Sequence, residues 1–97
     1  MKTLSEIKTI LHSHAADIHS RYGITRLEIF GSVVRGEAHE KSDVDMLAEF
    51  DRPISLLDLV GAENHLIDLL GMEVDLIPRR SVRPELKERI FKEAVPV

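Results

Sequence analysis

Phe30-Gly31-Ser32-Val33-Val34-Arg35-Gly36-Glu37-Ala38-His39-Glu40-Lys41-Ser42-Asp43-Val44-Asp45-Met46-Leu47-Ala48-Glu49-Phe50 is the stretch whose reading decides the fold. An apolar run, Leu27 to Phe30, ends on Gly31-Ser32. A polar loop with a second glycine, Gly36, follows. Asp43 and Asp45 then open another apolar run, Met46 to Phe50. If Asp43 to Phe50 is a strand, Asp43 and Asp45 point to one face, because strand side chains alternate. Their Cα atoms then lie about 6–7 Å apart, two strand rises. Two carboxylates at that spacing can share a hard divalent cation, and Mg²⁺ is typically held by one or two carboxylates plus substrate phosphates. Gly31 lets the backbone approach a phosphate closely, and free N–H groups where a helix starts attract anions. A phosphate cradle and a carboxylate pair, one short loop apart, point to phosphoryl or nucleotidyl transfer from a metal-bound nucleotide.

Blander readings of the same residues exist. Ser42-x-x-Asp45 also fits a capping box, which would turn Asp43 onward into a helix. Gly31-Ser32 also fits an ordinary turn. The catalytic reading is preferred because cradle and carboxylate pair occur together at workable spacing.

Composition narrows the class. Residues 1–97 are expected to form one domain. The hydrophobic fraction of 43% is ordinary for a globular protein, and the scarcity of aromatics leaves Leu, Ile and Val to build the core. Cysteine is absent, which excludes disulfides, zinc–thiolate sites and a thiol nucleophile. That is compatible with the cytoplasm, the expected location. No stretch reads as a signal peptide, and no apolar run approaches the roughly 20 residues of a membrane span. The net charge of −4 disfavours nucleic acid as the primary partner.

Taken in order, Thr3 to Tyr22 reads as one amphipathic helix, with Leu4, Ile7, Ile10, Leu11, Ala15, Ile18 and Tyr22 on its stripe. Thr3-x-x-Glu6 is its capping box and Gly23 its C-terminal stop. His12, His14 and His19 lie on it without the i, i+4 spacing of a metal pair, so a solvated or partner-facing surface is expected. Thr25–Phe30 is a strand, Ser32–Arg35 one helical turn, and Asp43–Phe50 the second strand. Ser55 caps a helix running to about Leu70, apolar on more than one side and expected to be well buried. Met72–Ile77 is a third strand. Asp75 lies there between Val74 and Leu76, where a carboxylate is costly unless paired or metal-bound. Alternatively, the strand is an edge and Glu73 and Asp75 face water. Arg79, Arg80 and Arg83 form a basic cluster that touches nucleotide phosphates, touches an acidic partner, or is simply solvated. Pro84 opens a last helix to about Ala94, and Pro96 stops it. The order α-β-α-β-α-β-α predicts an α/β (α+β) fold. Its sheet is small, mixed and three-stranded, flanked by helices, with the Asp-x-Asp strand in the middle.

Gly31-Ser32, ten intervening residues and Asp43-Val44-Asp45 resemble the signature of the DNA polymerase β-like nucleotidyltransferase superfamily. Arg35-Gly36-Glu37-Ala38 and Ser42-Asp43-Val44-Asp45 are similar to its smallest members, the minimal nucleotidyltransferases (MNT) paired with HEPN-domain toxins. The resemblance implies the nucleotidyltransferase fold, with Asp75 as third metal ligand on the strand beside Asp-x-Asp. It also implies two Mg²⁺ ions, roughly 3.5–4 Å apart, held by Asp43, Asp45 and Asp75. Asp75 would assist as general base. Gly31 and Ser32 would hold the triphosphate of ATP. Arg35 would either neutralise leaving-group charge or pair with Glu37 or another acid.

No acceptor pocket is legible in the chain, so the acceptor is expected to come with a partner. The implied reaction is transfer of AMP from ATP to a hydroxyl, expected on a tyrosine, of a HEPN ribonuclease toxin. The alternative is an antitoxin that silences the toxin by binding alone. A lower alternative is the subunit of an aminoglycoside-type nucleotidyltransferase. The intact Gly31-Ser32 and three acids argue against a decayed site.

Overall fold

The computed structural model describes residues 2–97. The polypeptide runs α1 (Leu4–Ser13), α2 (Ala15–Tyr22), β1 (Ile24–Phe30), α3 (Ser32–Arg35), β2 (Val44–Phe50), α4 (Leu56–Leu70), β3 (Val74–Pro78), a 3₁₀ turn (Arg79–Ser81), α5 (Pro84–Glu93) and β4 (Val95–Pro96). The sheet order is β3-β2-β1-β4. β1 is antiparallel to β2 and to β4, and β2 is parallel to β3. Between β1 and β2 the chain makes the single turn of α3 and a loop and returns antiparallel. α4 provides the crossover that the parallel β2–β3 pair needs.

Strand alternation sorts the side chains into two layers. Leu27 and Ile29 of β1, Val44, Met46 and Ala48 of β2, and Val74 and Leu76 of β3 join the main core with Ile7, Leu11, Ile18, Ala62, Leu66 and Leu70. The opposite face carries a smaller cluster, Phe30, Leu47, Val82 and Ile90, under α5. Asp45 belongs to that second face, beside Leu47. The thinner cover there leaves the end of the face open for chemistry.

Four expectations need correction. The first helix is two: His14 leaves helical geometry at φ −106° and ψ 6°. Its N–H turns to Leu11 O at 3.2 Å. Just before the break, Ser13 Oγ donates to Ile10 O at 2.8 Å, a side-chain bond of the kind that bends helices. Secondly, the sheet has four strands, because the residues after α5 pair with the outer edge of β1. Pro96 is tolerated there as an edge residue. Thirdly, α4 is buried only along Ala62, Leu66 and Leu70, while Leu56 and Leu57 are 77% and 80% exposed. Its 15 residues span about 22 Å, whereas the five-residue β3 beneath it spans about 17 Å, so its first turn overhangs the sheet.

The fourth correction concerns the basic cluster, which does not act as one group. Arg79 turns inward: its Nη1 donates to the buried Glu28 at 3.2 Å and to Glu49 at 3.5 Å. The guanidinium lies 4.1 Å from the Phe91 ring centroid. A buried carboxylate needs such a partner, so Arg79 is committed to the fold, whereas Arg80 and Arg83 are exposed.

Candidate active site

The site lies where β1 ends and β2 begins. Phe30 is the register partner of Asp45, so Gly31 follows directly alongside it. On the other side of β2, Asp75 is the register partner of Asp45 across the parallel ladder. Two acids from separate segments thus become strand neighbours, and Asp43 precedes the strand by one residue. Ser42 does not cap a helix. Its Oγ accepts the His39 N–H at 2.9 Å and so closes the loop, after which Val44 starts the strand.

Gly31 is fixed by two constraints. Its φ of +84° and ψ of −153° place it in a region open essentially to glycine. A Cβ there would also run into the Asp45 carboxylate, with Cγ at 3.2 Å and Oδ2 nearer still. The glycine therefore makes room for the acid. Its carbonyl accepts the N–H groups of Val34 and Arg35, both at 3.1 Å, which starts α3.

Charge crowding is visible at two acids. Asp45 is half-buried, and its carboxyl is pushed up from 3.8 to about 6, mainly by burial and then by Asp75 and Asp43. Asp75 is solvent-exposed on the edge strand, and it too is raised, by burial of part of its carboxyl, then by Glu63 and Asp43. The strand is an edge and Asp75 faces water, as one of the two sequence readings has it, and the register sets its backbone beside that of Asp45. Among the described residues, no three His, Asp or Glu side chains are already arranged around one point. The donor set nevertheless suits a hard cation: all oxygen, of like charge, with Asp45 driven toward protonation by burial and by the neighbouring acids.

Arg35 is exposed and pairs with two acids, Glu37 at 3.3 Å and Glu93 at 2.6 Å. His19 Nε2 lies 2.6 Å from Asp51 Oδ2, and that contact with Arg52 behind it holds the Asp51 carboxyl below its usual range.

Two acids near the site were not singled out in the sequence. Glu63 of α4 accepts the Leu76 N–H at 2.9 Å, which pins the edge strand next to Asp75. Glu93 accepts the Gly31 N–H at 3.2 Å as well as the Arg35 guanidinium. Glu93 left a legible signal, because a carboxylate in the last turn of a helix opposes the helix dipole.

Residues 11–97 match the family described as the nucleotidyltransferase domain. The chain is 41% identical over 95 residues to the protein adenylyltransferase MntA of Thermococcus cleftensis, covering 98% of this chain and 96% of that one. A solved candidate minimal nucleotidyltransferase is 38% identical, with a TM-score of 0.75 over 94% of this chain and 95% of that one. More distant, at 14% identity and a TM-score of 0.68, is a chain in the complex of a tri-AMPylated Shewanella oneidensis HEPN toxin with its MNT antitoxin. That match covers 93% of this chain and 70% of the other, and shows a shared fold.

Proposed function

The chain belongs to the nucleotidyltransferase domain family, and from that premise we propose that it is a Mg²⁺-dependent protein adenylyltransferase acting on a HEPN-type partner. The observation that carries the reading is the alignment of Asp45 with both Asp75 and the Gly31 turn across three neighbouring strands. The likeness to MntA supports protein as the acceptor. The fold shared with a chain of a complex between an MNT antitoxin and a HEPN toxin supports the class of partner.

Asp43, Asp45 and Asp75 would hold Mg²⁺. When bound, the metal neutralises triphosphate charge and acidifies the attacking hydroxyl. The remaining work belongs to the chain's own groups. Ser32 donates its hydroxyl to the β- and γ-phosphates. Gly31 leaves the Asp45 carboxylate clear of steric conflict and lets the backbone approach. Arg35 offers a guanidinium to the charge that grows on pyrophosphate as it leaves. Asp75, solvent-facing and raised, accepts the proton from the incoming tyrosine hydroxyl. That oxygen attacks the α-phosphorus, the bond to the β-phosphate oxygen breaks, and AMP remains on the acceptor.

The test is catalytic turnover. Substoichiometric protein with ATP and Mg²⁺ is expected to inactivate an excess of HEPN ribonuclease and leave AMP on it by mass spectrometry. Inhibition that needs equimolar protein, ignores ATP and leaves the partner's mass unchanged would refute transfer and establish an occluding binder.

A further inference from the structure

Glu93 stands in a place where a carboxylate is electrostatically disfavoured. It is the last residue of α5, where the helix end carries partial negative charge. Asp45 is near enough to feel it, since Glu93 adds to the crowding that raises Asp45. Yet the Glu93 side chain is only 18% exposed. Two donors hold it: Gly31 N–H to one carboxylate oxygen at 3.2 Å, and Arg35 Nη1 to the other at 2.6 Å. Arg35's other partner, Glu37, is farther away at 3.3 Å and lies in an exposed loop. Gly31 and Arg35 are also residues that the proposed function gives to the nucleotide. The Glu93 carboxylate thus takes up two donors that the proposed function gives to the nucleotide.

We propose that Glu93 is a built-in stand-in for the triphosphate, which the nucleotide displaces on binding, freeing the end of α5 and the β4 edge. The proposal rests on the assignment of Gly31 and Arg35 to the nucleotide. Charge supplies the driving force. A polyphosphate brings more negative charge to the two donors than one carboxylate does, and it repels Glu93 at the same time. Release has to break a short list of contacts: Phe91 lies under the Arg79 guanidinium at 4.1 Å, and Val95 and Val97 pack at the margin of the main core. Ile90 is the one residue of α5 in the small buried cluster, with Phe91 and Ala94 at its margin. β4 makes two residue pairs with β1, Glu28 with Pro96 and Ile29 with Val95, extended by the Val97 N–H bond to Leu27 O at 3.0 Å. Nucleotide loading and exposure of the outer β1 edge therefore become one event. The apparent affinity for nucleotide is lowered by the fraction of time Glu93 keeps the two donors.

Two measurements on the full chain decide it, both with a non-transferable ATP analogue and Mg²⁺. Hydrogen exchange in the wild type is expected to quicken over Phe91–Val97 and over Leu27–Ile29 when the analogue binds. Glu93→Gln is expected to bind the analogue about three- to tenfold more tightly, because the competing charge-assisted bond is gone. Should Glu93→Gln fail to fold, the wild-type exchange decides alone. Unchanged or slower exchange on binding overturns the proposal, as does weaker binding by a folded Glu93→Gln. Glu93 would then be a positioning residue for Arg35, and the transfer function would stand. If neither protein binds the analogue, the nucleotide reading itself fails and the stand-in fails with it.

Discussion

Replacing Asp45 by asparagine is expected to make the nucleotide-free protein more stable at neutral pH, by an amount that depends on pH. The Asp45 carboxyl is raised from 3.8 to about 6 in the folded chain. The folded state therefore binds the proton more tightly than the unfolded chain does. Stability from this group is fully present below about pH 4 and is lost as pH rises through about 6. A shift of about two units corresponds to about 3 kcal/mol. Because the carboxyl is part-exposed, solvent screening reduces this to about 1–2 kcal/mol. For a domain of this size, about 1 kcal/mol moves the melting temperature by about 4–8 °C. Scanning calorimetry in EDTA at pH 4, 6 and 8 is expected to show no gain for Asp45→Asn at the acid end and the full gain at pH 8. Adding Mg²⁺ is expected to stabilise the wild type at pH 8 and to do less for the variant. A variant no more stable than wild type at pH 8, or a gain independent of pH, would refute the idea that burial, with the neighbouring acids, disfavours the charged form of this carboxylate.

Further outcomes follow from the same geometry. Gly31→Ala is expected to lose about 1–3 kcal/mol of stability from backbone strain alone, measured by urea unfolding, and to abolish transfer because its Cβ strikes Asp45. Wild-type transfer by that variant would count against the close packing of turn and acid. Ser32→Ala is expected to cost about 1.5–3 kcal/mol in kcat/KM, the range for a lost hydrogen bond to a charged group, with the melting temperature little changed. Equal kcat/KM would remove Ser32 from the phosphate site. Arg79→Ala leaves Glu28 buried with Arg26 at 3.7 Å as its remaining ion partner. A loss of about 1.5–3 kcal/mol in urea unfolding is expected, and an unaltered midpoint would show that Glu28 has no need of Arg79.

Local chemistry made much of this chain legible. The capping box at Thr3 and Glu6 forms, with N–H bonds of 3.0 and 3.2 Å. Ser55 caps α4, and Pro84 stands at the start of α5. The period-two pattern of Val44, Met46 and Ala48 against Asp45 and Leu47 places the acid on the second face without any knowledge of its neighbours. These features depend on residues within a few positions of one another, so the sequence carries them directly.

What the sequence left open depends on segments far apart along the chain. Nothing local tells Val95-Pro96 to join β1, because a two-residue strand has no periodicity to read. The separation of Arg79 from Arg80 and Arg83 follows from Glu28, 51 positions away and buried on β1, with β2 lying between β1 and β3. α4 has a strongly apolar composition, but only the length of the sheet beneath decides which of its leucines are covered. Glu93 meets Arg35 across 58 positions. The charges were visible in the sequence, whereas their partners were set by how the strands align and where the last helix comes to rest.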